Sequence, residues 1–150
     1  MTVNEIFNVD VVVVTRDDKV LEAARRMRDQ HVGCVVVVGD QRGVPVGILT
    51  DRDIVVAVVA LNLDAEDLKV GDVMSEPVHT IKAEQDLSAA FELMRAQGVR
   101  RLPVVDRDGH LTGIVSADDL LERLAGDCAG LARMVAREQY RELETRRVKV

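Results

Sequence analysis

The hydrophobic residues in the first half of the chain form a series of patterns, each typical of one secondary-structure element. An apolar run at about Val11–Val14 is followed by apolar residues at helical spacing between positions 20 and 27. Two more apolar runs then occur, at Val35–Val38 and Val46–Leu49. Because short apolar runs bounded by polar turns are typical of strands, this half predicts the order strand, helix, strand, strand.

The same order of patterns recurs in the second half of the chain. Its strand-like and helix-like stretches are Val78–Ile81, 87–94, Leu102–Val105 and Leu111–Val115. The letters DRDG between the last two stretches provide Asp-Gly chemistry for a tight antiparallel turn. When residues 11–38 are laid over residues 78–105, eight of the 28 positions are identical. The chain therefore contains an internal repeat, and each copy predicts the order β-α-β-β-α.

Composition indicates how such a repeat packs. Apolar residues form 47% of the 150-residue chain but aromatic residues only 2%, so the core is built from Val, Leu, Ile, Ala and Met. A half of about 65 residues is only marginally stable alone, so we expect two halves that share one core. The predicted fold class is mixed α/β, with two β-α-β-β-α repeats related by pseudo-two-fold symmetry and small mixed sheets flanked by helices. We place the repeats at residues 3–62 and 63–125, followed by a C-terminal segment at 126–150.

The segment from Ile54 to Leu61 is apolar on almost every side. Its β-branched residues alone would favour a strand, but its partner in the second copy, DDLLERLAG, has helical spacing. We therefore predict a helix here, and a helix that is apolar all round must be covered on every side. Two explanations fit: the helix lies in the interface of a homodimer, or it is deeply buried within one chain.

Charge and residue usage narrow the range of functions. The formal net charge of −6 argues against general nucleic-acid binding, which needs clustered Lys and Arg. The apolar runs are shorter than the roughly 18 residues that span a bilayer, and the N-terminal residues lack a signal-peptide pattern, so no membrane association is expected. Cys34 and Cys128 form no zinc or disulfide pattern. We expect a cytoplasmic protein with reduced thiols.

The residue types offer little for catalysis. His31, His79 and His110 share no metal-ligand spacing with one another or with a cysteine, so no metal site is predicted. Cys34 has no candidate base in a recognisable arrangement. Aspartates after the strands could hold Mg²⁺ beside an ATP, but a solvated helix start is the simpler interpretation. The sequence therefore predicts a protein that is not an enzyme and has no catalytic cofactor.

Each copy ends its last strand with the same motif. The stretches are GILTDRD, which begins at Gly47, and GIVSADD, which begins at Gly113. In each, a hydroxyl residue is followed three positions later by an aspartate, which is the pattern of a helix capping box. The same geometry can hold a nucleotide, because a helix N-terminus attracts phosphate, a carboxylate can accept from both ribose hydroxyls, and Gly lets a ligand approach the backbone. Both interpretations fit the motif.

Together these features resemble a known family. The paired repeats, the leading segment VGDVMSEPVHTI, the hairpin VRRLPVVDRDGHLTGIVS and the two strand exits look like a tandem pair of cystathionine β-synthase (CBS) domains, or Bateman module, over about residues 3–125. The resemblance implies a non-catalytic regulatory module of the free-standing bacterial type. Such a module would bind an adenosine-containing ligand between its repeats and signal to a protein partner. AMP, ADP or ATP is the expected ligand, with NAD and S-adenosylmethionine as alternatives. A ligand-free scaffold with the same fold is the alternative function.

The resemblance also assigns roles to individual residues. Asp53 and Asp119 match the family's ribose-binding acids, and Thr50 and Ser116 match its hydroxyls beside phosphate or ribose. A basic pair that reaches phosphates in the family corresponds to Arg100 and Arg101. The match leaves open which of the two clefts these arginines serve.

In this family the segment leading into one repeat lies beside the strand exit of the other. The residues expected near Thr50 and Asp53 are therefore Val73, Met74, Val78 and His79, and those expected near Ser116 and Asp119 are Ile6, Val9, Val11 and Val12. In the first copy Gly33 and Cys34 replace the arginine pair, and its leading segment lacks the Met-Ser step of the second. We therefore expect one competent site rather than two equivalent ones.

Beyond Gly126 the resemblance ends. The C-terminal segment carries six basic and four acidic residues and has apolar residues near one face, namely Leu131, Met134, Val135 and Leu143. This spacing predicts an amphipathic helix. It either docks in a dimer or contacts an acidic partner or nucleic acid.

Overall fold

The computed structural model of the chain describes residues 1–39 and 43–147. In the first half the order of elements is β1 (Val13–Thr15), α1 (Val20–Gln30), β2 (Cys34–Val38), β3 (Pro45–Thr50) and α2 (Asp51–Ile54). Helix α2 continues without interruption into a wider π-helical turn at Val55–Val59. The helix predicted for residues 54–61 is thus present in its main part.

The second half repeats this order after a short helix, α3 (Val70–Val73). Its elements are β4 (Ile81–Lys82), α4 (Leu87–Gln97), β5 (Arg101–Val105), β6 (Leu111–Ser116) and α5 (Ala117–Arg147). The predicted tight turn lies between β5 and β6, where Gly109 has a φ of 89°. Helix α5 runs through Gly126, so the two helices predicted on either side of that residue are one. Residues 148–150 of the predicted C-terminal segment lie outside the described residues.

Each half contains one three-stranded mixed sheet, as predicted. The strand orders are β1-β2-β3 and β4-β5-β6, with the first pair of each sheet parallel and the second antiparallel. The leading strands are shorter than predicted and begin later. The parallel ladder starts only at Val13, opposite Val36, and at Ile81, opposite Val104. Residues just before each ladder are therefore available to other parts of the fold.

Buried aliphatic side chains form one cluster on each sheet. The first cluster comprises Val14, Ala23, Met27, Val35, Val37, Leu49, Val70 and Met74. The second comprises Val3, Ile81, Ala90, Met94, Leu102, Val104 and Val115. Every buried residue of the described chain is apolar. Each helix following the leading strand contributes an Ala and a Met to its cluster, which explains why those residues recur at the same place in both copies.

The two halves are interlocked by their leading segments. Val3 belongs to the second cluster, and Asn8 bridges to Ile114 on β6 in antiparallel fashion. In return, α3 packs in the first cluster and Ser75 bridges to Ile48 on β3. Each leading segment therefore lies beside the last strand of the other copy, which is the arrangement that the resemblance implied. Among the described residues, the helices are too short or too polar to cross a bilayer.

Candidate functional site

The two strand exits both form capping boxes. At the first, the N–H of Thr50 donates to Asp53 Oδ2 at 2.9 Å and the N–H of Asp53 donates to Thr50 Oγ1 at 3.1 Å. At the second, the N–H and Oγ of Ser116 donate to Asp119 Oδ2 at 2.7 and 2.6 Å, and the N–H of Asp119 donates back at 3.1 Å. The capping interpretation is therefore realised in both copies. Each aspartate uses Oδ2 for the cap, which leaves Oδ1 for another donor.

A cleft of about 470 Å³ lies at the first strand exit. Its walls come from β3 and the start of α2, from the segment leading into β4, and from the residues at the start of β5. The lining residues are Ile48, Thr50, Asp51, Arg52, Asp53, Ser75, Pro77, Val78, His79, Gly98, Val99, Arg100 and Arg101. The volume is within the range of about 300–1,000 Å³ that is usual for small-molecule sites. The cleft thus lies between the two copies of the repeat.

The cleft brings together the charged and hydroxyl residues expected to hold a nucleotide. Arg100 and Arg101 line this cleft together with Thr50 and Asp53. Arg100 Nη2 also lies 3.1 Å from Asp118 Oδ1 in the first turn of α5. Both of these side chains are largely exposed to solvent. The arginine is therefore available to a ligand at the cost of a weak surface ion pair.

Predicted residues of the second leading segment divide into two groups. Val78 and His79 line the cleft, as expected. Val73 and Met74 instead pack in or against the first core cluster, and Met74 is only 8% exposed. A Cβ atom at Gly47 would approach Met74 Sδ to 2.8 Å and the carbonyl oxygen of Ser75 to 3.0 Å. The atoms that approach the backbone closely at Gly47 are thus those of Met74 and Ser75.

The second strand exit is covered by the N-terminal segment. A Cβ atom at Gly113 would come within 2.1 Å of Phe7 Cδ2 and 2.5 Å of the carbonyl oxygen of Asn8. The N–H of Asn8 donates to the carbonyl of Ile114 at 2.8 Å, and the reverse hydrogen bond measures 2.9 Å. Phe7 and Asn8 were not among the residues predicted for this exit. Their contact with Gly113 joins residues more than a hundred positions apart, which no local pattern signals.

The other residues predicted for the second exit have varied surroundings. Val12 packs against the first core cluster, and its carbonyl accepts from the N–H of Val36 at 3.0 Å. Val11 is half-buried, Ile6 packs against the second cluster, and Val9 is 68% exposed. These residues and the pair Ser116 and Asp119 do not line the 470 Å³ cleft. Their role as ligand contacts stays a prediction.

Gly33 and Cys34 occupy the positions that the arginines take in the second copy. The N–H of Asp51 donates to the carbonyl of Gly33 at 3.0 Å, just as the N–H of Ala117 donates to the carbonyl of Arg100 at 2.8 Å. A Cβ atom at Gly33 would lie 3.1 Å from Asp51 Oδ2. The glycine therefore leaves room for an acidic side chain that the second copy lacks.

Cys34 is a half-buried free thiol beside this region. Burial raises the pKa of the Cys34 thiol, and the nearby Arg101 guanidinium opposes part of that rise. The thiol is therefore less ionised at neutral pH than an ordinary cysteine, which makes it a weak nucleophile.

Asp106, Asp108 and His110 place their potential metal-ligand atoms within 4.8 Å of one another on the turn between β5 and β6. Asp106 Oδ1 accepts from the N–H groups of Asp108 and His110, both at 2.9 Å. The hydrogen bond from the His110 backbone is the main cause of the lowered pKa of Asp106. These bonds close the turn and account for the arrangement of the three residues.

Known proteins are similar to this chain in sequence and in fold. The family model described as CBS domain matches residues 3–60 and 70–126. The chain is 36% identical over 122 residues to an uncharacterized protein of Methanopyrus kandleri, covering 81% of this chain and 62% of that protein. It is 34% identical over 132 residues to the CBS domain-containing protein YhcV of Bacillus subtilis, covering 87% and 91% of the two chains. The solved structure of a CBS domain protein from Pyrobaculum aerophilum, complexed with AMP, matches this chain with a TM-score of 0.73 and a sequence identity of 26%. The match covers 80% of this chain and 90% of that chain.

Proposed function

The chain belongs to the CBS domain family, as a tandem pair of CBS domains, and we propose that it is a non-catalytic regulatory module that binds an adenine nucleotide. The observation that carries this proposal is the cleft at the first strand exit. That cleft combines a carboxylate with one unused oxygen, a hydroxyl, apolar wall residues and two arginines. The carboxylate and the hydroxyl suit a ribose, the apolar residues suit a base, and the two arginines suit a phosphate.

Each part of a nucleotide has a matching partner in the cleft. Asp53 Oδ1 accepts from the ribose hydroxyls while Oδ2 keeps the cap on Thr50. Apolar surface from Ile48 and Val78 receives the base. The guanidinium groups of Arg100 and Arg101 bind phosphate oxygens, for which their forked geometry is well suited.

The arginine pair favours ligands that carry phosphate. AMP, ADP and ATP satisfy both the arginines and Asp53, and NAD offers the same groups in a larger ligand. S-adenosylmethionine has a ribose but no phosphate, so it would leave the two guanidinium groups without an anion. The AMP complex of the Pyrobaculum aerophilum protein supports a nucleotide in this family. We therefore rank AMP, ADP and ATP ahead of NAD, and NAD ahead of S-adenosylmethionine.

The two strand exits are not equivalent as nucleotide sites. The arginine pair lines the cleft at the first exit, whereas the first copy has Gly33 and Cys34 at the corresponding positions and so has no such pair to offer to the second exit. Phe7 and Asn8 also lie directly against Gly113 at the second exit. We therefore propose one nucleotide-binding site per chain, in the cleft that Asp53 lines.

Binding is proposed to regulate a protein partner in the cytoplasm, with the module acting as a homodimer. The α2 region, which is α2 together with the π-helical turn after it (residues 51–59), supports self-association, because Val55, Val56 and Val59 are 54–66% exposed in the single chain. Large exposed apolar patches are typical of protein interaction sites.

Isothermal titration of the purified protein with AMP, ATP, NAD and adenosine tests the proposal. Asp53→Ala should lower AMP affinity at least tenfold, because it removes charge-assisted hydrogen bonds of about 1.5–3 kcal/mol each. Asp119→Ala is the matched control, since it removes an equivalent cap and should leave AMP affinity unchanged. Equal affinities in the native protein and both variants would contradict the assigned site.

The arginine pair gives a second, independent test. Replacing Arg100 and Arg101 by Ala should lower affinity most for ATP, less for AMP, and hardly at all for adenosine. The melting temperature should rise with nucleotide concentration above the dissociation constant. If no adenosine compound shifts it at millimolar concentration, the ligand-free scaffold is the correct function.

A further inference from the structure

The first residue of the helix after each strand exit differs in charge between the two copies. It is Asp51 at the first exit and Ala117 at the second. The residue whose carbonyl accepts from the N–H of this position also differs, being Gly33 in the first copy and Arg100 in the second. The first copy therefore has a carboxylate where the second has a methyl group, and no side chain where the second has a guanidinium group.

The carboxylate of Asp51 lines the cleft at the first exit. Its Oδ1 accepts from the N–H of Arg52 at 2.8 Å, and its Oδ2 would lie 3.1 Å from a Cβ atom at Gly33. Asp51 is exposed, and within the part of the chain that the structure describes it has no ion-pair partner within 4 Å. The cleft therefore contains a negative charge with no cation in direct contact.

This carboxylate lies on the side of the cleft where Arg101 is found. Burial raises the pKa of the Cys34 thiol, the Arg101 guanidinium lowers it, and the Asp51 carboxylate raises it. Because the interaction between two charges weakens with their distance, both side chains lie near this thiol and therefore near each other. A phosphate bound at Arg101, as proposed, would have Asp51 as a neighbour of like charge.

The side chains that line the cleft limit how much negative charge it accepts. Three arginines and two aspartates line it, which leaves one positive charge when His79 is counted as neutral. One of these arginines, Arg100, already contacts Asp118 at 3.1 Å. AMP carries a charge of about −2 at neutral pH, and each added phosphate makes the ligand more negative. Charge complementarity therefore favours the nucleotide with the fewest phosphates.

We propose that Asp51 makes the cleft selective for nucleoside monophosphates, because its carboxylate repels the second and third phosphates of ADP and ATP. This inference rests on the proposed nucleotide site and names the class of ligand that the site prefers. A charge that is unfavourable to a competing ligand is a general source of specificity. Ala117 at the second exit provides no such charge.

Isothermal titration with AMP, ADP and ATP in the presence of EDTA tests this selectivity, because no divalent cation then shields the phosphates. Weak ATP binding is measured by displacement of AMP. Asp51→Asn removes the charge but keeps the size of the side chain and an oxygen for the N–H of Arg52. The ratio of ATP affinity to AMP affinity should rise about fivefold in this variant, with ADP intermediate. Asp51→Ala, which gives the first exit the residue of the second, should raise the ratio similarly.

Asp67→Asn is the matched control, since it neutralises an exposed aspartate that does not line the cleft and should leave the ratio unchanged. An unchanged ratio in Asp51→Asn, with AMP still bound, overturns the selectivity and leaves the nucleotide site intact. An equal rise in Asp67→Asn also overturns it, because net charge would then be the cause. If Asp51→Asn lowers ATP affinity when Mg²⁺ replaces EDTA, Asp51 is a metal ligand for ATP and the repulsion is refuted. Absence of AMP binding by the native protein overturns the proposed function, and this inference with it.

Discussion

Arg100 Nη2 and Asp118 Oδ1 are 3.1 Å apart, and this ion pair connects the wall of the cleft to the first turn of α5. The backbone strengthens the same connection, because the N–H of Ala117 donates to the carbonyl of Arg100 at 2.8 Å. The side chains of Arg100 and Asp118 are 74% and 69% exposed, so their ion pair contributes only about 0–1 kcal/mol. A phosphate bound in the cleft, as proposed, would compete with Asp118 for one guanidinium group.

Removing the competitor should strengthen phosphate binding. We expect Asp118→Asn to raise the affinity for AMP by roughly 1.5- to 5-fold, which corresponds to the strength of an exposed ion pair. The affinity for adenosine should not change, because adenosine makes no contact with Arg100. The measurement is isothermal titration of both ligands.

Glu122→Gln controls for the change in net charge. It removes one negative charge from the next turn of α5, and Glu122 has no ion pair with Arg100 among the described residues. If Asp118→Asn and Glu122→Gln alter AMP affinity equally, the effect is one of overall charge and the competition is absent. This outcome would leave the nucleotide site itself intact.

The glycines of the chain differ in how closely other atoms surround them, and substitution by alanine should therefore change the stability of the fold differently at each one. Gly113→Ala should destabilise the fold by about 1–3 kcal/mol, because the new methyl group would overlap the backbone oxygen of Asn8. Gly126→Ala should stabilise it by about 0.5–1 kcal/mol, since nothing lies within 4 Å and the residue is helical. Urea unfolding of both variants measures these values. A Gly113→Ala protein as stable as the native one would refute the tight contact.

The exposed residues of the α2 region should control self-association without affecting the fold. Val55 and Val59 are 56% and 66% exposed, whereas Val58 between them is 1% exposed. We expect Val59→Asp to weaken self-association at least tenfold, because an unpaired charge buried in an interface costs several kcal/mol. Val58→Asp should unfold the chain instead.

Asn62→Asp is the matched control for Val59→Asp, since it adds the same charge at an exposed position just beyond the segment. It should sediment like the native protein. If the double variant Val55→Asp and Val59→Asp also sediments like the native protein, the α2 region lies outside any interface.

Periodicity and the internal repeat were sufficient to predict the order of the elements. They were also sufficient to identify residues 54–61 as helical despite their β-branched side chains, because the second copy has a clear helical pattern. The starts of the leading strands were less predictable. Val11 and Val12 are as apolar as Val13, but the parallel ladder begins only at Val13. An apolar pattern indicates burial, but it does not show at which residue the backbone joins a sheet.

Long-range contacts limited how much of the candidate site could be predicted from the sequence. The capping boxes depend on residues three positions apart, so the motif alone predicted them. The location of the arginine pair depends on how the halves interlock, and only the fold shows that Arg100 and Arg101 line the same cleft as Thr50. Likewise, Met74 matches a predicted ligand contact by position, yet it packs in the core. Helix α5 continues through Gly126, the residue beyond which only the family resemblance was expected to end, because an exposed glycine weakens a helix without ending it.

The ionisation of Cys34 should report on a phosphate bound at Arg101. Burial raises the pKa of the Cys34 thiol, while the positive charge of Arg101 lowers it in part. A bound phosphate neutralises that charge, so the pKa should rise further and less thiolate should be present at any pH below it. Since the thiolate is the nucleophile, alkylation of Cys34 should slow when AMP binds.

Iodoacetamide labelling at pH 8 in a Cys128→Ser background measures this effect. AMP should slow labelling of Cys34 severalfold, whereas adenosine, which lacks the phosphate, should leave the rate unchanged. Arg101→Gln should slow labelling without ligand and abolish the response to AMP, because the charge being neutralised is already absent. Labelling of the exposed Cys128 in a Cys34→Ser background is the control and should not respond to either compound. Equal slowing by AMP and adenosine would mean that the ligand only shields the thiol, and Arg101 would not be its phosphate partner.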